Sequence, residues 1–88
     1  MNPFARYQVQ IKASAEKEMD ALPRPVFARV AKAALSLETN PRRHGSQKLR
    51  GIPAYRVRVG DYRVLYTIND PARVVEIVAV VHRREAYR

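Results

Sequence analysis

Cysteine is absent from this chain, which excludes disulfide bonds and thiolate metal ligands. Long apolar runs are missing too: no stretch of about 18 consecutive apolar residues occurs, and the opening MNPFARYQVQIK lacks the apolar segment of a secretion signal. These absences favour a protein of the reducing cytoplasm that does not enter the membrane. The 88 residues suffice for one modest hydrophobic core, so we expect a single domain over residues 1–88.

Acidic residues are scarce, and unevenly so. The chain carries 17 Lys/Arg against 8 Asp/Glu, a net charge of +9. Residues 1–41 hold six basic and four acidic residues, whereas residues 42–88 hold eleven and four. A basic surface of this kind indicates a polyanionic partner, and nucleic acid is the commonest one in the cytosol. A solvated basic surface without a partner is the alternative.

Hydrophobic periodicity predicts six elements in the order β-α-α-β-β-β. Residues 6–12 alternate polar and apolar side chains, which is typical of a half-buried strand. Ser14 is placed to cap a first short helix, and a second helix follows over VFARVAKAALSLE until Asn40 and Pro41 stop it.

The second half predicts a loop and three strands. Residues 42–53 form a basic loop, and Gly60-Asp61 is a dipeptide suited to a two-residue hairpin turn. Val74 to Val81 is almost wholly apolar and β-branched, so we expect a strand covered on both faces. The predicted fold is therefore an α+β domain, with two N-terminal helices packed on one face of a small, mainly antiparallel sheet.

The stretch YRVRVGDYRVLY, residues 55–66, predicts a cluster of arginines. With Gly60 and Asp61 as the loop, one face of the hairpin is apolar and the other carries Arg56, Arg58 and Arg63, with Arg58 opposite Arg63. Like charges placed opposite each other destabilise a sheet by about 0.2–1 kcal/mol. Because guanidinium groups bind phosphate oxygens bidentately, the cluster indicates a phosphate site. Screening of the three charges by solvent is the alternative.

Two motifs at a defined separation carry a family resemblance. The chain combines Y-R-V-R-x-G-x-Y-R-x-x-Y with a C-terminal H-R-R-x-x-Y-R. Together they resemble the RelE branch of the RelE/ParE superfamily, the toxins of type II toxin–antitoxin pairs. The resemblance covers essentially the whole chain and implies a fold similar to that of a microbial ribonuclease.

The resemblance implies a function and a set of site residues. RelE-type toxins cleave mRNA in the ribosomal A site without a metal or other cofactor, and an antitoxin that wraps around them silences them. By position, Arg56 and Arg58 match basic residues beside the scissile phosphate, Arg63 a phosphate-binding arginine, and Arg83 a transition-state arginine, while Tyr87 matches a tyrosine that stacks on or orients the nucleotide. The implied partners are a small acidic antitoxin, in a hetero-oligomer, and the ribosome with its rRNA and mRNA.

The sequence departs from the family pattern at the general base. Some RelE-type toxins have lysines where this chain has Arg56 and Arg58, and arginine is a poor proton acceptor because it stays protonated in proteins. Histidine exchanges protons near neutral pH, so His82 is a candidate acid or base. A structural role for His82 is the alternative, and Tyr87 and a water held by a guanidinium are the other candidates for the base.

Two rival functions remain open at this point. A ParE-like toxin would keep the fold and inhibit DNA gyrase by binding it. A non-catalytic RNA-binding or ribosome-associated domain would need only the basic surface. For a toxin that acts on the ribosome, we expect basic residues of the loop, Arg42 among them, to add affinity for the ribosome.

Overall fold

The computed structural model describes residues 6–84. Over this range the chain forms strands β1 (Gln8–Ile11), β2 (Ser46–Lys48), β3 (Tyr55–Val59), β4 (Tyr62–Asn69) and β5 (Val74–His82), with helices α1 (Ala13–Asp20) and α2 (Arg24–Ser36). The strands make one sheet in the order β1-β5-β4-β3-β2, in which β1 is parallel to β5 and the other pairings are antiparallel. The predicted α+β fold is confirmed.

Two local predictions are wrong. The supposed loop 42–53 contains β2, whose sequence Ser-Gln-Lys shows no apolar alternation and which is a strand because it pairs with β3. Helix α1 begins at Ala13, so Ser14 lies inside it, and Lys12 occupies the N-cap without a side-chain hydrogen bond. The N–H of Lys12 donates instead to the carbonyl of Ile77 at 2.9 Å, and this bond to β5 fixes where the chain turns into the helix.

Both helices pack on one face of the sheet and enclose the core. Small residues on the helices, Ala15, Ala33 and Ala34, are buried and let the helices approach the strands closely. The hydroxyl of Tyr66 donates to the carbonyl of Pro41 at 2.7 Å, which satisfies its one buried polar group. The largest fully buried side chains are Tyr66, Leu37, Ile77, Val30, Val57, Val64 and Val75.

Strand β5 is central, because β1 and β4 flank it. Its helix-facing residues Val75, Ile77 and Val80 are buried, whereas residues on its second face, such as Val81, are only half-buried. The sequence predicted that β5 is covered on both faces. That prediction is correct for the face toward the helices, whereas the second face is only partly covered. A bulge in the β4–β5 pairing at Leu65 and Tyr66 sets the register beyond it, so that residues near the hairpin tip lie beside the last residues of β5.

Within residues 6–84, no helix is long and apolar enough to cross a bilayer.

Candidate functional site

The β3–β4 hairpin places the site. Gly60 begins the turn with φ +58°, a left-handed conformation that glycine adopts without steric penalty. The strands then pair Val59 with Tyr62, Arg58 with Arg63 and Arg56 with Leu65, which is the predicted register. Since Val57 and Val64 face the helices, the three arginines lie on the opposite face of the sheet.

The three arginines line one depression. Arg56, Arg58 and Arg63 enclose a volume of about 250 Å³ together with Gly45 and Gln47. No carboxylate contributes to this lining, and within residues 6–84 none of the three guanidinium groups forms an ion pair. The depression is therefore a concentration of positive charge with no counter-ion among residues 6–84, which suits an anion with several oxygens.

Arg63 lines the depression and is the most buried charged residue of the described chain. Its exposed fraction is 4%, and its Nη1 donates to the carbonyl of Tyr62 at 3.2 Å. Removing a charge from water without a partner carries a penalty of several kcal/mol, so buried cations are normally paired. A phosphate bound in the depression would supply an anionic partner, which no carboxylate of residues 6–84 provides.

Gln47 orients Arg56, and sequence reasoning missed it. Its Oε1 accepts hydrogen bonds from Nη2 of Arg56 at 2.7 Å and from Nε at 3.2 Å. Gln47 stands opposite Arg56 because β2 pairs with β3, and the three polar residues of β2 carried no signal that a strand lies there. The amide of Gln47 holds the guanidinium in place and leaves its charge uncancelled, whereas a carboxylate would neutralise it.

Arg83 lies beside the hairpin tip. Its backbone N–H donates to the carbonyl of Asp61 at 2.7 Å, and its Nε lies 3.8 Å from Oδ1 of the same residue. Both side chains are more than half exposed, so the ion pair is weak. Arg83 is thus held by its backbone next to the turn that joins Arg58 to Arg63.

His82 lies on the other face of the sheet. It pairs with Tyr62, whereas Arg63 pairs with Val81, and successive residues of a strand alternate faces. Its ring meets the Tyr62 ring edge-on, with centroids 5.3 Å apart and an interplanar angle of 87°. The structure therefore does not bring His82 to the three arginines. Tyr87, the remaining candidate, lies outside the described residues.

A second group of charged and aromatic side chains surrounds Asp70. Arg42 donates to both Asp70 oxygens, at 2.9 and 3.1 Å, and its Nε donates to the Tyr55 hydroxyl at 3.2 Å. The Tyr7 hydroxyl also donates to Asp70. These bonds, from Arg42 first, lower the pKa of Asp70 to about 2, and the same carboxylate raises the pKa of Tyr7. Asp70 neutralises Arg42, so Arg42 adds less to the basic surface than the sequence suggested.

Metal-binding potential is low in the described part of the chain. Residues 6–84 contain no group of three or more His, Asp or Glu side chains arranged to hold an ion. The chemistry available at the arginine face is that of guanidinium and amide groups, which bind and orient an anion and stabilise added negative charge.

Comparisons with known proteins agree with this fold. The family model described as "ParE toxin of type II toxin-antitoxin system, parDE" matches residues 9–87. Toxin RelE of Mycobacterium tuberculosis is 35% identical over 86 residues, which cover 93% of this chain and 87% of the relative.

Two solved toxin–antitoxin complexes contain chains of similar structure. One is RelBE2 of Mycobacterium tuberculosis, with a TM-score of 0.81 and 30% identity over 91% of this chain and 94% of the other. The second is the archaeal RelE–RelB complex of Pyrococcus horikoshii, with a TM-score of 0.78 and 32% identity over 88% and 94%. From the family match and these relatives, this chain belongs to the RelE/ParE superfamily of type II toxin–antitoxin toxins.

Proposed function

We propose that this toxin is an endoribonuclease that cleaves mRNA in the ribosomal A site and so inhibits translation. The arginine face is the observation that carries the proposal: Arg56, Arg58 and Arg63 line one depression that no carboxylate of the described chain shares. A fold that buries a cation with no counter-ion among residues 6–84 is suited to an external counter-ion. A phosphodiester supplies that charge. The relative named Toxin RelE supports the resemblance to RelE-type toxins, and that resemblance implies RNA cleavage.

The proposed reaction uses a nucleophile that belongs to the substrate. The ribose 2′-OH loses its proton to a base, and its oxygen bonds to the adjacent phosphorus. The bond from phosphorus to the 5′ oxygen of the next nucleotide breaks, and that oxygen takes up a proton. The products are a 2′,3′-cyclic phosphate and a free 5′-OH, with no metal or redox partner required.

The arginines have distinct parts in this scheme. Arg63 lies beneath the phosphate and holds a non-bridging oxygen, and Arg56 approaches from the side in the orientation fixed by Gln47. Arg58 is exposed and completes the clamp. Negative charge grows on the phosphoryl oxygens in the transition state, so preorganised cations stabilise that state more than the ground state. Arg83, beside the hairpin tip, is proposed to approach the same charge.

No side chain of the arginine face is suited to accept the proton of the 2′-OH. Arginine is a poor proton acceptor, and the amide of Gln47 is not a base. His82 lies on the opposite face of the sheet, which leaves Tyr87 and a guanidinium-held water as the remaining candidates. The sequence-based proposal for His82 is tested by substitution below.

A small acidic antitoxin is the proposed regulatory partner. The solved relatives are complexes with RelB-type antitoxins, and a net charge of +9 would attract an acidic protein at a high rate. An antitoxin that placed carboxylates near Arg56, Arg58 and Arg63 would occupy the position of the RNA phosphate. Toxin and antitoxin would then form a hetero-oligomer in which cleavage is blocked.

Primer-extension mapping of a reporter mRNA in a translating extract tests the proposal. We expect A-site cuts with the wild type and with Arg24→Ala, which removes an exposed charge that does not line the depression. Arg58→Ala should reduce cleavage about 100-fold, because one preorganised donor to the transition state is lost. Arg83→Ala and Tyr87→Phe test the roles implied by the family. Intact mRNA with the wild type, or undiminished cuts with Arg58→Ala, would refute the proposal.

Inhibition of DNA gyrase is the second candidate, since the matching family model is described as a ParE toxin. A supercoiling assay with purified gyrase decides between the two. We expect no inhibition at toxin concentrations that cleave mRNA in the extract. Inhibition of supercoiling together with intact mRNA would establish the gyrase function instead.

A further inference from the structure

A groove between α2 and β3 adjoins the arginine face. It has a volume of about 460 Å³ and is lined by Arg29, Lys32, Ala33, Ser36, Arg43, Arg58 and Val59. Arg58 lines both the groove and the depression, so the two adjoin at this residue. The proposed catalytic phosphate does not account for the other three cations of the groove.

Apart from Arg58, the cations of the groove lie on one face of α2 and in the loop that follows it. Arg29, Lys32 and Ser36 follow at spacings of three and four along α2, which puts them on one side of the helix. The sequence of α2, RPVFARVAKAALS, contains no acidic residue, and no Asp or Glu of the described part of the chain lines the groove. Its positive charge is therefore uncompensated by the residues that line it.

Arg43 is fixed within the groove. Its Nη1 donates to Oγ of Ser36 at 3.1 Å, and that hydroxyl donates to the carbonyl of Ala33. Arg43 is half-buried, whereas Arg29 and Lys32 are exposed. One oriented guanidinium and two exposed cations leading away from Arg58 suit a strand of phosphates better than a single anion.

We infer that the groove is a second binding subsite, which holds the phosphodiester backbone of the same RNA strand whose phosphate lies on the arginine face. This inference rests on the proposed function for the identity of the strand. It assigns Arg29, Lys32 and Arg43 to strand binding and not to chemistry. The contacts would be to phosphates, so the subsite would add affinity without selecting a base sequence.

Binding of 2′-O-methyl RNA tests the inference without cleavage, because this RNA lacks the attacking hydroxyl. We compare a dinucleotide with an octanucleotide by fluorescence anisotropy over a range of salt concentrations. The octanucleotide should bind the wild type more tightly and with a steeper salt dependence. Arg29→Ala/Lys32→Ala should weaken octanucleotide binding about tenfold and reduce its salt slope by roughly 0.7 for each lost contact, while dinucleotide binding stays unchanged.

The matched control is Lys17→Ala/Arg24→Ala, which likewise removes one lysine and one arginine, but from helix positions outside the groove. An equal loss in the control would mean that only net charge matters, and the inference would fail. It would also fail if the octanucleotide bound the wild type no more tightly than the dinucleotide. A third contradicting result would be that Arg29→Ala/Lys32→Ala weakens binding of a poly-glutamate peptide as much as it weakens binding of the octanucleotide. A length-dependent gain in affinity with no mRNA cleavage in the extract would overturn the proposed function and leave the subsite standing.

Discussion

Arg42 and Arg63 differ in both the burial and the pairing of their guanidinium groups. The side chain of Arg42 is 47% exposed, yet Asp70 accepts two hydrogen bonds from it. Arg63 is only 4% exposed, yet within residues 6–84 it forms no ion pair. Desolvation alone would favour the opposite arrangement, in which the buried arginine is paired with the carboxylate, because an unpaired charge costs more free energy when it is buried. We infer that Arg42 serves the fold and that Arg63 serves a ligand.

The surroundings of the two arginines extend the comparison. Near Arg42, an acid and two tyrosines fix the loop after α2 against the β4–β5 turn. Near Arg63, the neighbours are two more arginines and the neutral Gln47. A protein that needed only a solvated strand face could place a carboxylate there, and none from the described residues lines the depression. The predictions below test whether one cluster carries activity and the other stability.

Arg63→Met should have the largest effect. Cleavage in the translating extract should fall about 100- to 1000-fold, because the cation that we propose to hold the phosphate is lost. The melting temperature should stay the same or rise, because a buried charge and its repulsion with Arg58 are both removed. Activity is measured by primer extension and stability by thermal unfolding. A large fall in melting temperature would instead assign Arg63 to the fold.

Gln47→Glu should reduce cleavage by about 10- to 100-fold. The new carboxylate would pair with Arg56 and place a negative charge in the depression, so a phosphate would bind less well. The melting temperature should not fall, because the bond to Arg56 is kept and strengthened. Gln47→Ala, which frees Arg56 but keeps its charge, should lose only a few-fold. If Gln47→Glu were as active as the wild type, Arg56 would have no part in phosphate binding.

His82→Gln should retain cleavage within about tenfold, because His82 packs against Tyr62 on the face away from the arginines. The rate of cleavage and its pH profile are compared with those of the wild type. A loss above 100-fold, accompanied by loss of the acid limb of the profile, would restore His82 as the general base.

Asp70→Asn should leave cleavage unchanged and lower the melting temperature by no more than a few degrees, since exposed ion pairs contribute little. The pH dependence is more diagnostic. The pKa of Asp70 is lowered from 3.8 to about 2, so its stabilising bonds are intact above about pH 4 and are lost as the pH falls through about 2. The stability difference between wild type and Asp70→Asn should therefore close between these two values. A constant difference across this range would contradict the assignment of Asp70.

The hairpin and its arginines could be predicted from the sequence because the local rules there agree. Gly60 and Asp61 fix a two-residue turn, and strict alternation then decides which face each side chain occupies. The two sequence motifs, in the hairpin and at the C-terminus, likewise sufficed to indicate the superfamily. Where turn chemistry and side-chain periodicity coincide, as in residues 55–66, the register follows from the sequence.

Gln47 and Asp70 could not be found in the same way. Strand β2 has three polar residues and exists only through its pairing with β3, so the position of Gln47 depends on tertiary contacts. Asp70 lies 28 residues from Arg42, and no periodic pattern relates the two. The burial of Arg63 was also not predicted, because alternation gives the face of a residue but not how deeply neighbouring side chains cover it.

Cleavage of a ribosome-bound mRNA with a single 2′-deoxy nucleotide at the cut site is the decisive test of the proposed chemistry. The reaction needs that one hydroxyl as its nucleophile, while the arginine face needs only the phosphate. We expect cleavage of the all-ribose mRNA to a 2′,3′-cyclic phosphate and a 5′-OH, and no cleavage of the deoxy mRNA despite undiminished toxin binding. Cleavage at the deoxy position, or an intact all-ribose mRNA, would show that the toxin does not work in this way.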